Sequence, residues 1–135
     1  MATVELPVLE LVAFVDGMLE HLFSIVRVDA SRLAVEGFSD GASYALSLGL
    51  TNADLFTHCV AFSPGFQAAA SRRGRLPVFV SHGVHDNVLP IDRCSRRIVP
   101  ALRRERYEVE YREFDGGHAV PAEQARAAVD WLTTS

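Results

Sequence analysis

The stretch "VEGFSDGASYAL" at residues 35–46 decides the fold. It reads as the end of an apolar strand, then Gly37-Phe38-Ser39-Asp40-Gly41, then a helix of small residues. A serine between two glycines, where a strand reverses into a helix, is either a nucleophile on a tight turn or a loop that happens to hold small residues. In a G-x-S-x-G turn the serine is strained with its hydroxyl exposed, and the glycines remove side chains that would collide there. With Gly and Ser each near ~7% of an average sequence, the pattern arises by accident in roughly a few per cent of chains this long. The turn therefore needs support from the rest of the chain.

Outward from it, strands alternate with helices. Apolar residues at 8, 11, 12, 15, 18, 19, 22 and 26 predict a helix over residues 7–26, with Pro7 suited to its first turn. A turn at 29–32 leads to a short strand at 33–36, and residues 40–50 form the helix after the serine. "HCVAFSP" (58–64) and "LPVFVSHG" (76–83) are the second and third strands. An Arg-rich helix follows at 91–106, then a fourth strand, "YREF" with its lead-in, over 107–114, and a last helix at 121–133. Four strands separated by helices imply one α/β domain over 1–135, a mainly parallel sheet with right-handed crossovers.

A nucleophilic serine needs a base, and the base needs an orienting carboxylate. In this architecture the chain order is serine, acid, histidine. "SHGVHDNVLP" places Asp86 just past the third strand, and "EFDGGHAVP" places His118 just past the fourth. Loops at the carboxyl ends of parallel strands share one rim of the sheet with the turn carrying Ser39. Three residue types in the right order after three strands point to a triad of Ser39, Asp86 and His118.

The competing residues read as structural. Asp115 ends the strand that precedes His118 and would have to fold back to serve as the acid. The loop "SPGFQAAASRRGR" (63–75) contains no carboxylate. Asp92 reads as the cap of the helix after Pro90. His21 lies on the first predicted helix, His58 begins a strand, and His82 and His85 flank the acid loop as surface or hydrogen-bonded residues. His85, Asp86 and His118 do not have a recognised metal-ligand spacing, so no metal is expected there. The arginines at 96, 97, 103, 104 and 106 read as a solvated helix face.

Composition narrows the partners. The net charge of −4 disfavours nucleic acid or an anionic membrane surface as the main partner. The thirteen basic residues are all Arg. Cys59 and Cys94 lack metal or redox spacing and read as reduced thiols of a cytoplasmic protein. The first segment has no Arg before Arg27 and is interrupted by Glu5 and Glu10, unlike a signal peptide, and no stretch predicts a membrane span. A flavodoxin-like binding module fits neither the Ser–Asp–His order nor the lack of a phosphate-cradling glycine loop.

The stretches "VDASRLAVEGFSDGA" (28–42), "FSPGF" (62–66), "HGVHDNVLP" (82–90) and "FDGGHAVP" (114–121) resemble the C-terminal half of α/β-hydrolases of the phospholipase/carboxylesterase group, which includes acyl-protein thioesterases. The resemblance implies hydrolysis of an ester or thioester through an acyl-enzyme, without a cofactor. Ser39 would attack, His118 would move the proton, and Asp86 would fix the imidazole. The backbone N–H of Asp40 would stabilise the oxyanion, flanked by Gly37 and Gly41 of the turn. The family's strands before the nucleophile, with the loop that gives a second oxyanion donor, have no counterpart in this reading, and Glu36 has no assigned purpose. The alternative is therefore a weakly active or inactive hydrolase remnant acting in assembly. With only a helix ahead of it, the strand Leu33–Glu36 is expected to leave an open edge. That edge and the stripe Leu11, Phe14, Val15, Met18 and Leu22 predict a homodimer.

Overall fold

A computed structural model describes residues 23–69 and 71–135. The strands β1 (Phe23–Asp29), β2 (Arg32–Phe38), β3 (His58–Phe62), β4 (Val78–Gly83) and β5 (Val109–Phe114) form one sheet in that order. β1 runs antiparallel to β2, and β2 through β5 are parallel. Helix α1 (Asp40–Thr51) follows β2. A 3-10 turn (Ile91–Arg93) and α2 (Ser95–Arg104) link β4 to β5, and α3 (Ala122–Thr134) follows β5. This is the partial α/β-hydrolase architecture expected from the sequence. Among the described residues, no helix is long and apolar enough to cross a membrane.

β3 and β4 are buried along their whole length, β5 is partly exposed at the sheet edge, and the side chains of β2, β3 and β4 alternate between two cores. Val35, Cys59, Ala61, Val78 and Val80 join Ala42, Ala45, Leu46 and Leu50 of α1 and Val99 and Leu102 of α2 in one cluster. Ala34, Val60, Phe62 and Phe79 point the other way, onto Ala128 and Leu132 of α3. Burying each of the larger side chains contributes about 1.5–3 kcal/mol. Arg32 anchors the end of α3 by donating to the Leu132 carbonyl at 2.7 Å, where a cation also suits the helix dipole.

One expectation fails at the N-terminal side. Residues 23–26, predicted to end a helix, belong to β1. The β-branched Ile25, Val26 and Val28 favour an extended chain. Asp29 then closes a tight hairpin: its carboxylate accepts the Ser31 N–H and hydroxyl, both at 2.8 Å, and Arg32 Nε at 2.6 Å. Residues 7–22, with His21 and the apolar stripe 11–22, lie outside the described residues. β1 also corrects the expectation of an open edge at Leu33–Glu36. Register pairs Ser24 with Glu36, Ile25 with Val35, and Val26 with Ala34, so β2 is interior. Glu36 thereby gains a partner: Ser24 Oγ donates to its Oε1 at 3.1 Å, while burial pushes its carboxyl up.

Candidate active site

Ser39 occupies the junction between β2 and α1. Its φ of 62° and ψ of −125° lie in a region that favours glycine. Neighbours enforce this conformation. The Ser39 N–H donates to the Phe62 carbonyl at 2.9 Å, and its own carbonyl accepts the N–H groups of Ala42 and Ser43 at 3.0 and 3.2 Å. Gly37 is required here, because a Cβ on it would fall 2.3 Å from the Gly41 oxygen. The chain can reverse this sharply only without that atom. Asp40 is the first residue of α1, so its N–H is among those with no acceptor inside the helix.

His118 reaches this serine from the loop after β5. Its Nε2 lies 2.9 Å from Ser39 Oγ, and its Nδ1 lies 2.7 Å from Asp86 Oδ2. The carboxylate only accepts, so Nδ1 carries a proton and Nε2 of the neutral ring faces the serine as an acceptor. Phe38 packs against the imidazole with ring centroids 4.8 Å apart. Asp86 sits in the loop after β4 with its side chain fully buried, and its Oδ1 accepts the Val88 and Leu89 N–H groups at 2.9 and 2.8 Å. Burial works to raise the Asp86 carboxyl. The hydrogen bonds from His118, Leu89 and Val88 outweigh it and hold the group below its ordinary value.

The other candidates go elsewhere. Asp115 is exposed and bonds His85 Nε2 at 2.9 Å. Asp92 does not cap a helix as expected: it lies within the 3-10 turn and pairs with Arg96 at 2.8 Å, while Cys94 stands before α2. His58 is buried between Thr57 Oγ1 and Ser135 Oγ. Among the described residues, no group of three or more His, Cys, Asp or Glu is placed to hold a metal ion. A cavity of about 480 Å³ lined by Arg72, Gly74, Arg75, Glu105 and Tyr107 shares none of the Ser39, Asp86 and His118 side chains.

Two supports were not readable from the motifs. Ser43 Oγ accepts the Gly65 and Phe66 N–H groups at 2.9 and 3.1 Å, tying the loop after β3 to α1. His82 lies buried behind Asp86, and its spacing of four residues from the acid was the available signal.

The family model for phospholipase/carboxylesterase matches residues 4–135. Among solved structures, esterase PE8 is 28% identical over 74% of this chain and 48% of its own, with a TM-score of 0.66. Acyl-protein thioesterase 2 of Zea mays is 22% identical over 90% of this chain and 62% of its own, with a TM-score of 0.67. The Bacillus cereus carboxylesterase is 20% identical over 92% of this chain and 57% of its own, with a TM-score of 0.66. The chain thus spans about half to three-fifths of the length of these structures. No curated protein matches it.

Proposed function

Because the chain belongs to the phospholipase/carboxylesterase family, a family of esterase-type hydrolases, we propose that it cleaves carboxylic esters or thioesters through an acyl-enzyme on Ser39. The observation that carries this reading is the hydrogen-bonded run from Ser39 through His118 to Asp86, at 2.9 and 2.7 Å, on a strained turn.

In this mechanism His118 Nε2 takes the Ser39 hydroxyl proton as Oγ bonds to the carbonyl carbon. The carbonyl electrons become an oxyanion beside the Asp40 N–H and the start of α1. As the oxyanion collapses, the leaving alcohol or thiol departs with the proton from Nε2, and the acyl group stays on Ser39. Water then gives a proton to Nε2 and attacks the acyl carbon. The acid leaves, and the proton returns to Oγ. Asp86 stays ionised throughout, which its depressed carboxyl value supports. Exposed Phe66 and Val88, on the loops after β3 and β4, are apolar side chains available to an acyl chain. No cofactor takes part. Among the described residues one donor is assigned to the oxyanion, and removing a single oxyanion donor lowers turnover by about 10²–10³.

Hydrolysis of an activated aryl ester and its thioester analogue tests the reading. Ser39→Ala and His118→Ala should each lose at least ~10³-fold of wild-type kcat. Variants as active as the wild type would refute it.

A second reading, in which the chain acts in assembly, is favoured by β1, whose outer edge has no strand beside it among the described residues. In that reading a second copy pairs along the outer edge of β1, the last strand on that side among the described residues. Light scattering at micromolar concentration should give a dimer mass, and a monomer would exclude it.

A further inference from the structure

His82 is on β4, four residues before Asp86, and its side chain is completely buried. A buried imidazole needs polar partners at both nitrogens, and this one has them. Nε2 lies 2.7 Å from the Leu89 carbonyl oxygen. A carbonyl only accepts, so Nε2 carries a proton. Nδ1 lies 2.6 Å from Ser95 Oγ at the start of α2. Burial pushes the imidazole below its ordinary value and so favours the neutral ring, whose Nδ1 accepts the Ser95 hydroxyl proton.

The protonated Nε2 is also 3.2 Å from Asp86 Oδ2, the oxygen that accepts His118 Nδ1. Leu89, whose carbonyl His82 holds, gives its own N–H to Asp86 Oδ1. One ring therefore reaches both carboxylate oxygens, Oδ2 directly and Oδ1 through Leu89.

We infer that His82, set in one tautomer by the Leu89 carbonyl and held by the Ser95 hydroxyl, is a positioning residue that holds the Asp86 loop and lies against Oδ2 beside His118. The inference rests on the serine-hydrolase reading above. It has a chemical consequence that simple packing lacks. With the His82 Nε2–H 3.2 Å from Oδ2, its partial positive charge offsets part of that oxygen's charge away from His118. Without the donor, Oδ2 attracts the protonated His118 more strongly, and His118 keeps its proton to higher pH.

The surrounding titratable groups allow that change to be read. Glu113 on β5 is held at about 2, first by Arg96. The Cys94 thiol ahead of α2 is pushed up by burial and by Asp86, against Arg93 and Arg97. Asp86 itself is held down. His85 and Asp115 pair with each other in solvent.

The experiment compares His82→Leu, His82→Gln and Ser95→Ala with wild type, measuring kcat/KM for an activated aryl ester between pH 5 and 8 beside thermal melting. His82→Leu should move the acid limb up by about 0.5–1 pH unit and lower the plateau roughly tenfold. Ser95→Ala should move the limb the same way by less. His82→Gln, whose amide can donate from near the Nε2 position, should recover most of what leucine loses. Lower melting temperatures and plateaus with an unmoved acid limb would overturn the inference, because a packing role predicts that pattern. If His82→Leu does not fold, long-range 1H–15N spectra of the wild type decide. The neutral Nε2–H tautomer supports the inference, and an Nδ1–H tautomer overturns it. Activity that survives Ser39→Ala would instead refute the hydrolase reading, while the tautomer remains measurable.

Discussion

Replacing Gly83 with alanine drives a methyl group into the backbone that carries His118. A Cβ at this position would sit 2.3 Å from both the Gly116 and Gly117 carbonyl oxygens and 2.8 Å from the Gly116 carbonyl carbon. Ordinary contact begins near 3.4 Å, so the 116–117 segment must retreat by about 1.1 Å. Both obstacles are backbone, and no side chain can swing aside. The retreat also pulls the Gly116 oxygen from the His85 N–H, now 2.9 Å away. Overpacking costs about 1–3 kcal/mol and the strained hydrogen bond about 1 more, so stability should fall by about 2–4 kcal/mol. His118 directly follows Gly117, so its ring should shift relative to Ser39 Oγ. A misplacement of about 1 Å costs on the order of 10² in rate. Urea unfolding reads the first effect, and aryl ester hydrolysis by the folded fraction reads the second. Gly117→Ala is the control, because its Cβ would meet nothing within 4 Å. A Gly83→Ala protein with wild-type stability and rate would refute this account of how the two loops fit.

Ser39→Gly and Ser39→Ala both lose the hydroxyl, but only glycine relaxes the positive φ. The glycine variant should be the more stable by about 1 kcal/mol in urea unfolding, with both inactive. Ser43→Ala strands the Gly65 and Phe66 N–H groups and should cost about 1–3 kcal/mol in the same assay. His58 and His82 are both depressed, with burial the leading cause, so the unfolded chain takes up protons before the folded one does. Their contribution is complete above the ordinary histidine value and is lost as pH falls below it, by up to about 1.4 kcal/mol per histidine one pH unit lower. Urea unfolding at pH 7.5 and 5.5 should show this loss, and His58→Gln should flatten it.

The parallel half of the sheet was legible because its strands are short apolar runs bounded by turn residues, each feeding a helix or loop. The same rule placed Ser39, Asp86 and His118 on one rim, where the structure joins them by hydrogen bonds. β1 was not legible, because Leu22 and Val26 continue a helical spacing while Ile25, Val26 and Val28 also suit a strand. The hairpin with β2, closed by Asp29 and Arg32, decides between them, and that pairing is a contact that periodicity does not contain. Glu36 was opaque for the same reason, since its partner Ser24 arrives with β1. Asp92 looked like a cap because it follows Pro90, but the chain first makes a 3-10 turn and frees the carboxylate for Arg96. The role of His82 depends on Ser95 and Leu89, which converge on it only in the folded chain.

Covalent labelling tests the central claim most directly. A fluorophosphonate reacts with a serine whose hydroxyl is activated by a neighbouring base. Incubated with the folded protein and followed by peptide mass spectrometry, it should leave one adduct on Ser39, none on Ser39→Ala, and a strongly slowed reaction on His118→Ala. An adduct on Ser43 or Ser63 in its place, or none on folded wild-type protein, would contradict Ser39 as the nucleophile.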